Sequence, residues 1–319
     1  MDDESPGEIV AAATADDEVR EILRRLDSQP ASIAPKYFYD RLGSALFAAI
    51  CETPEYYPTR TEAVILPVAA AAIRDRLGRG LTLVDLGAGD CRKSDGIMPV
   101  LDCARYVAID ISIAFVRDAV VAIEPRHPKV VMTALGRDLS RDWTLDEEEA
   151  PGQRLLFYPG SSIGNFTPEL AVAFLRRARA NAGADGKLLI GVDLVKDRAI
   201  LEAAYDDRLG VTAAFNRNVL NHLNRIVGTD FDPMRWRHVA LFNEALSRIE
   251  MHLEACTEHW VAWPGGRRHF DGGERIHTEN SYKYTPEGFA EKLERAGWRV
   301  SDRWFDENRW FAMFLADAA

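Results

Sequence analysis

Between Thr61 and Val195, short apolar runs alternate with longer stretches whose apolar positions recur at helical spacing. The runs are TLVDLG, RYVAIDI, KVVMTAL, RLLFYPGSS and KLLIGVDLV. They are short and nearly free of polar alternation, as strands covered on both faces are. Strand and helix in alternation predict a parallel sheet with crossover helices. Upstream, Val19, Ile22, Leu23 and Leu26 form one stripe and predict a helix over 16–26. A Pro- and Tyr-rich stretch (30–60) holds a short predicted helix over 42–51, and an Ala-rich helix over 61–77 leads into the first strand. After Val195 the alternation stops. Residues 197–225 read as helical, and 248–263 and 277–284 as antiparallel strands. The closing segment, GWRVSDRWFDENRWFAMFLAD, reads as two strands able to complete the first sheet. The pattern predicts a nucleotide-type α/β domain, 61–194 with 285–319, interrupted by a smaller α/β domain, 14–60 with 195–284. Residues 1–13 read as frayed and disordered.

Composition narrows the classes. A chain of 319 residues with 47% hydrophobic residues can bury one large core or two modest ones. Its net charge of −11, with basic residues scattered among acidic ones, argues against a nucleic-acid partner. Cys51, Cys91, Cys103 and Cys256 lie far apart without a CxxC pair. That points to reduced thiols, with neither a disulfide frame nor a zinc site. No apolar run reaches membrane-spanning length, and MDDESPGEIV is acidic where a signal peptide is basic. The expectation is a soluble cytoplasmic protein, monomeric, with no membrane partner. His222, His238, His252 and His277 are not spaced as a ligand set, so no metal is expected. No histidine has the Ser or Cys context of a hydrolase.

The chemistry concentrates first in LVDLGAGDCRKS, 83–94. An apolar run enters Gly87-Ala-Gly89, and a second run, YVAID, ends on Asp110. In a doubly wound sheet this is a strand, a glycine turn that lets a ligand approach the backbone, and a carboxylate placed for ribose hydroxyls. The third glycine of the dinucleotide fingerprint is absent and Asp85 precedes the loop. Both features favour the adenosylmethionine type of site. An ordinary βα turn with glycines for close packing is the competing reading. Asp138 in GRDLS follows the third strand, where it can meet an adenine amino group with Leu139 packing near the ring. Asp110 and Asp138 can equally be helix N-caps.

Several longer blocks carry a resemblance. PKYFYDRLGSALFAAICETPEYYPTRTEAVIL, FYPGSSIGNFTP, GVDLVKD, AYDDRLGVTAAFNRNVL, RIEMHL and HTENSYKY, in this order, resemble the ergothioneine-pathway histidine Nα-methyltransferases. The resemblance runs from about Pro35 to the C-terminus. It implies a Rossmann-like SAM-methyltransferase sheet with an inserted smaller substrate-binding domain. It implies S-adenosyl-L-methionine as methyl donor, L-histidine as substrate, and three transfers to the α-amine that give the betaine hercynine, the first step of ergothioneine biosynthesis.

The resemblance also implies roles for individual residues. Lys93 corresponds to a residue near the cofactor that can pair with its carboxylate, although a lone Lys early in a helix is usually solvated. Glu279 and Ser281 match the imidazole contacts, and their spacing puts both on one face of a strand. A carboxylate accepting from one ring N–H and a hydroxyl serving the other nitrogen satisfy an imidazole; an amino acid without those groups leaves Glu279 unpaired. Tyr205 matches a residue gripping the substrate carboxylate, and Tyr39 and Tyr56 match pocket tyrosines, with Tyr39 the one to handle the proton or orient the amine. Tyrosines are more often packing residues. Asn165 follows the fourth strand, where ligands sit in such sheets, and can orient the amine, or simply serve its turn. Gly160 leaves space beside the cofactor. Met251 is an apolar wall of the pocket or ordinary core. Two other functions stay open: methylation of another amino acid or amine, and a cofactor sensor without catalysis.

Overall fold

The computed structural model describes residues 15–319, so the reading of 1–13 lies outside the described residues. In chain order α1 (Ala15–Asp27), β1 (Ala31–Ser32), α2 (Arg41–Cys51) and α3 (Tyr57–Leu77) come first. An alternating stretch follows: β2 (Thr82–Leu86), α4 (Arg92–Leu101), β3 (Arg105–Asp110), α5 (Ile113–Ile123), β4 (Val131–Gly136), β5 (Arg154–Tyr158), α6 (Pro168–Asn181) and β6 (Lys187–Asp193). Then come α7 (Arg198–Tyr205), α8 (Val211–Ile226), β7 (Trp236–Asn243), β8 (Arg248–Ala255), β9 (His259–Trp263), β10 (Gly266–Phe270) and β11 (Arg275–Tyr282). The chain closes with α9 (Pro286–Arg295), β12 (Trp298–Phe305) and β13 (Phe311–Ala318).

The five apolar runs are β2 to β6, and the closing segment is β12 and β13. All lie in one seven-stranded sheet of order β12-β13-β6-β5-β2-β3-β4. The pairs among β2 to β6 are parallel, and β13 runs antiparallel to both β6 and β12. The direction of growth reverses between β2 and β5, which opens a crevice at the carboxyl ends of the strands. Every residue of β2, β5 and of β6 after Lys187 is buried, as a sheet covered on both faces demands. One face packs Phe174 and Leu175 of α6 with Phe289 of α9 and Phe314. The other packs Ile65, Ala69 and Ile73 of α3 with Ile97 and Met98 of α4 and Val116 of α5. Helix starts follow local chemistry: the side chains of Thr167 and Asp197 accept backbone N–H groups of α6 and α7. Helix α3 begins at Tyr57, ahead of the predicted Thr61, because Pro58 suits a first turn that needs no N–H.

The chain divides into two compact units. The larger comprises Cys51–Asp207, Leu241–Ile249 and Asn280–Ala319; the smaller comprises the residues up to Ile50, Arg208–Ala240 and Glu250–Glu279. These bounds differ from those drawn on the sequence, and two of the differences follow from bonds to β6. Tyr57 donates its hydroxyl to buried Asp193, which ties the start of α3 to β6. Tyr284 donates its amide to the Asp193 carbonyl and accepts from Val195 N, which ties the end of the β11 segment to the same strand.

The smaller unit contributes to a four-stranded sheet of order β1-β11-β8-β7 and holds a β9–β10 hairpin. Phe215, Val219, Leu220 and Leu223 are the buried stripe of α8, and Phe215 stacks on Phe38 at 4.6 Å. Trp236 is fully enclosed by Phe231, Phe270 and His259. The single strand region read over 248–263 is two strands, β8 and β9, broken at Cys256-Thr257-Glu258. Strands β1, β7 and β10 were not read from the sequence. No helix among the described residues is long and apolar enough to cross a membrane.

Candidate active site

The glycine loop sits at the crevice. Gly87 and Gly89 have φ of 73° and 53°, a region closed to most side chains, and no atom lies within 4 Å of where a Gly89 Cβ would stand. Asp110 ends β3; its carboxylate accepts the Gly89 amide at 3.0 Å and the Ser112 amide at 2.9 Å. Ordinary capping and a ligand-facing carboxylate thus coexist at Asp110, since each oxygen retains acceptor capacity. Below the loop, Asp85 accepts from Ser94 Oγ and Tyr106 OH, while its Oδ1 is buried without a partner. Burial pushes its carboxyl up to about 6, the two hydroxyls opposing. An open glycine cradle above a buried carboxylate fits a cationic sulfonium ligand. Asp138 accepts from the amide and hydroxyl of Ser140 and faces Arg141, and half-buried Leu139 packs on the sheet core.

Lys93, in the first turn of α4, is engaged within the protein. Its ammonium pairs with Glu62, whose side chain is 1% exposed, and Glu62 also accepts the Gly160 amide at 2.7 Å. Gly160 has φ +74°, and a Cβ there would meet Lys93 Nζ at 2.9 Å. The positive φ favours glycine at 160, and a side chain there would push the flexible end of Lys93 aside. Asn165 ends a short 3-10 turn (Ser162–Asn165), half-buried, and its amide makes no hydrogen bond among the described residues.

A second cluster lies in the same unit. Tyr205, at the end of α7, and Ser281, on β11, are hydrogen-bonded through their hydroxyls at 2.7 Å. Tyr56 meets Tyr205 edge-on at 6.2 Å. Lys283 donates to both hydroxyls, at 3.0 Å and 2.9 Å, and to Asp193 at 2.7 Å. Asp193, at the end of β6, also accepts from Tyr57 and Lys196. All three charged side chains are almost fully buried, so one carboxylate stands between two ammoniums. Burial alone would raise Asp193, but Lys283 and Lys196 outweigh it and hold its carboxyl below the usual range. The lysines move oppositely. Burial disfavours both charges; Asp193 overrides it for Lys283, raising it, whereas Lys196 is pulled down to about 8. Lys283 keeps its proton because three oxygens ring it, and Lys196 is the member that gives way.

The remaining candidates belong to the smaller unit. Tyr39 is 37% exposed and packs edge-on against Phe47 and Phe215. Met251 is buried on β8 between Glu250 and His252, and its carbonyl accepts the Thr278 hydroxyl. Glu279 is 8% exposed on β11, two residues before Ser281. His252 and His277, distant in sequence, meet edge-on at 5.1 Å, and Glu250 contacts His252 at 3.1 Å. Glu258, His269 and Asp271 gather on the surface.

A family model described as histidine-specific methyltransferase, SAM-dependent, matches residues 17–318. The chain is 40% identical to a histidine N-alpha-methyltransferase of Mycolicibacterium smegmatis over 313 residues, 95% of this chain and 97% of that one. A Mycobacterium tuberculosis protein of the same name is 38% identical over 93% of this chain and 94% of its own length. Ergothioneine biosynthesis protein 1 of Neurospora crassa is 29% identical over 94% of this chain and 34% of its own. The chain belongs to the histidine-specific, SAM-dependent methyltransferases.

Within this methyltransferase the sequence reading missed the polar scaffold: Glu62, Tyr57, Asp193, Lys196 and Lys283. Two signals were available. Glu62 interrupts the buried stripe of α3, and Asp193 and Lys283 stand in otherwise apolar strand contexts, GVDLV and SYKY. Charges in such places are rare unless paired.

Proposed function

We propose that this methyltransferase converts L-histidine to hercynine by three Nα-methylations, in the cytoplasm, where its free thiols stay reduced. The near end-to-end relationship to two histidine N-alpha-methyltransferases carries the reading. The larger unit supports it by pairing a glycine cradle with a hydroxyl cluster on a cationic base. Gly87, Gly89, Asp110, Asp138 and Leu139 would hold S-adenosylmethionine, with Lys93 and Gly160 shaping the wall beside it. When bound, that cofactor supplies an activated methyl group on a cationic sulfur.

The chain's own work is positioning. Tyr205 and Tyr56 take the substrate carboxylate, and the surplus positive charge of Lys196 and Lys283 over Asp193 favours an anion there. Glu279 and Ser281 take the imidazole, and Met251 stands beside Glu279's strand as an apolar support. Asn165 and Tyr39 orient the α-amine. That amine, with a reference pKa of roughly 7.7–8.0, must be neutral before each transfer. A neighbouring cation lowers it further, so water suffices as proton acceptor and holding the lone pair in line is the main contribution. After the third transfer no N–H remains, which ends the sequence.

Mass spectrometry of the purified protein with S-adenosylmethionine and all twenty amino acids tests the reading. The expected product is histidine plus three methyls. Methylation of a different amino acid overturns the substrate, and cofactor binding without product overturns the activity. Glu279→Ala is expected to raise the KM for histidine at least tenfold, about 1–3 kcal/mol for a lost partner, with cofactor affinity unchanged. Equal histidine kinetics in the variant remove Glu279 from the site.

A further inference from the structure

Ser281 has two hydrogen bonds among the described residues, and Lys283 makes one of them. The ammonium can only donate, so it fills one lone pair of Ser281 Oγ at 2.9 Å. The second bond joins Ser281 to Tyr205 at 2.7 Å. Burial holds the Tyr205 phenol above its ordinary value and Lys283, donating to its oxygen, opposes that; a phenol nonetheless remains a stronger acid, and a better donor, than an alkanol. The mutual bond therefore runs from Tyr205 to Ser281. Both lone pairs of Ser281 are then filled, and its remaining capacity is its own hydrogen.

We propose that Lys283 is a positioning residue that makes Ser281 an obligate donor, so that the site selects the neutral imidazole and rejects the imidazolium. The inference rests on the proposed histidine reading. A neutral ring offers one N–H and one bare nitrogen; Glu279 suits the first and the Ser281 hydrogen the second. A protonated ring turns an N–H toward the Ser281 hydrogen, donor against donor. Charge acts on both sides, Glu279 favouring the imidazolium and the lysine cluster opposing it. Facing Ser281 are Lys283 from its own strand and Tyr205 from α7; behind them stand Asp193 and Lys196 from the end of β6 and Tyr57 from α3. The cluster carries one net positive charge when both lysines are protonated, and the Glu279 carboxylate two residues along β11 offsets it, so the donor geometry at Ser281 decides. Asp193 retains Lys196 and Tyr57 as partners when Lys283 is replaced.

Hercynine is the suitable probe, because its quaternary nitrogen does not titrate and only the imidazole, near pH 6.5, changes charge. Its dissociation constant is measured calorimetrically from pH 5 to 8 with S-adenosylhomocysteine present. In the wild-type protein it is expected to rise about tenfold per pH unit below the ring's pKa. In Lys283→Met the slope is expected to fall by half or more, because Ser281 regains an acceptor site and the positive charge is gone. Ser281→Ala, which leaves the Lys283–Asp193 pair intact, is expected to weaken binding at pH 8 about tenfold. S-adenosylhomocysteine affinity, unchanged in both variants, reports the fold. A wild-type constant that does not vary with pH overturns the proposal. So does a wild-type slope in Lys283→Met, or full affinity in Ser281→Ala should the lysine variant not fold. Histidine turnover by the wild-type protein is followed in parallel: its absence overturns the proposed function, whereas turnover with an unaltered slope in Lys283→Met overturns only the role of Lys283.

Discussion

Replacing Asp193 by Asn keeps the shape of the side chain and removes the carboxylate that stands between two buried ammoniums. Asp193 is 1% exposed, and it is bonded to Tyr57, Lys196 and Lys283 at 2.9 Å or less. Taking one partner from a buried ion pair costs about 3–5 kcal/mol, since the remaining charge stays desolvated. Here two charges stay, but one has an escape. Lys196 already sits at about 8 in the native protein. Discharging it at pH 7 costs about 1.4 kcal/mol, one pH unit, and less once Asp193 no longer holds its proton. The loss in Asp193→Asn is therefore expected at the lower end of that range at pH 7, about 3 kcal/mol. It is expected to shrink by roughly 1 kcal/mol at pH 9, where Lys196 is neutral without cost. Urea unfolding of both proteins at the two pH values gives the numbers. A variant as stable as wild type at pH 7, or a penalty that grows with pH, refutes the picture of one carboxylate restraining two ammoniums.

Gly160→Ala is expected to lose about 1–3 kcal/mol of stability from the left-handed backbone and to displace Lys93 from Glu62; denaturation and S-adenosylhomocysteine titration read both effects, and an unaffected variant places Lys93 away from Gly160. Asp110→Asn is expected to lower cofactor affinity roughly 10- to 100-fold, from about 1.5–3 kcal/mol for bonds to a charged acceptor, with histidine affinity measured separately as the control. The ring of His252 is pulled down to about 4, by burial first and by His277 second. Between that value and 6.5 the unfolded chain binds a proton that the folded one does not, so stability falls as pH drops through this window. Unfolding followed from pH 7 to 4 is expected to show less of that fall in His252→Phe than in wild type, and equal slopes would absolve the histidine.

The centre of the large sheet was legible because β2, β5 and β6 are buried on both faces and need apolar residues almost throughout. TLVDLG and KLLIGVDLV therefore announce themselves without knowledge of their neighbours. β7 and β10 were not legible. β7 carries Arg237 and half-exposed residues among its apolar ones, and Gly266-Arg-Arg-His-Phe270 buries only its last residue fully. Such strands are fixed by the partner they pair with, which a single sequence does not name. The break in 248–263 has the same origin, since Cys256 N bonds across to the Arg235 carbonyl instead of continuing the strand.

The candidate site divides along a similar line. Gly87, Gly89 and Asp110 were readable because their requirement is local: a positive φ, an open approach, a carboxylate at a strand end. Ser281 and Tyr205 were readable only by resemblance, since 76 positions separate them and nothing in either neighbourhood demands the other. Lys283 was not read at all, although its position in SYKY makes it anomalous. A lysine side chain with no exposure must meet its acceptors inside the fold, and those acceptors come from β6, α7 and its own strand. The charge that fixes the hydroxyls is thus written three times over in distant segments, and substituting any one of them should disturb histidine recognition before it disturbs the glycine cradle. That ordering follows from the bonds themselves: no member of the Lys283 cluster bonds to Gly87, Gly89 or Asp110 among the described residues.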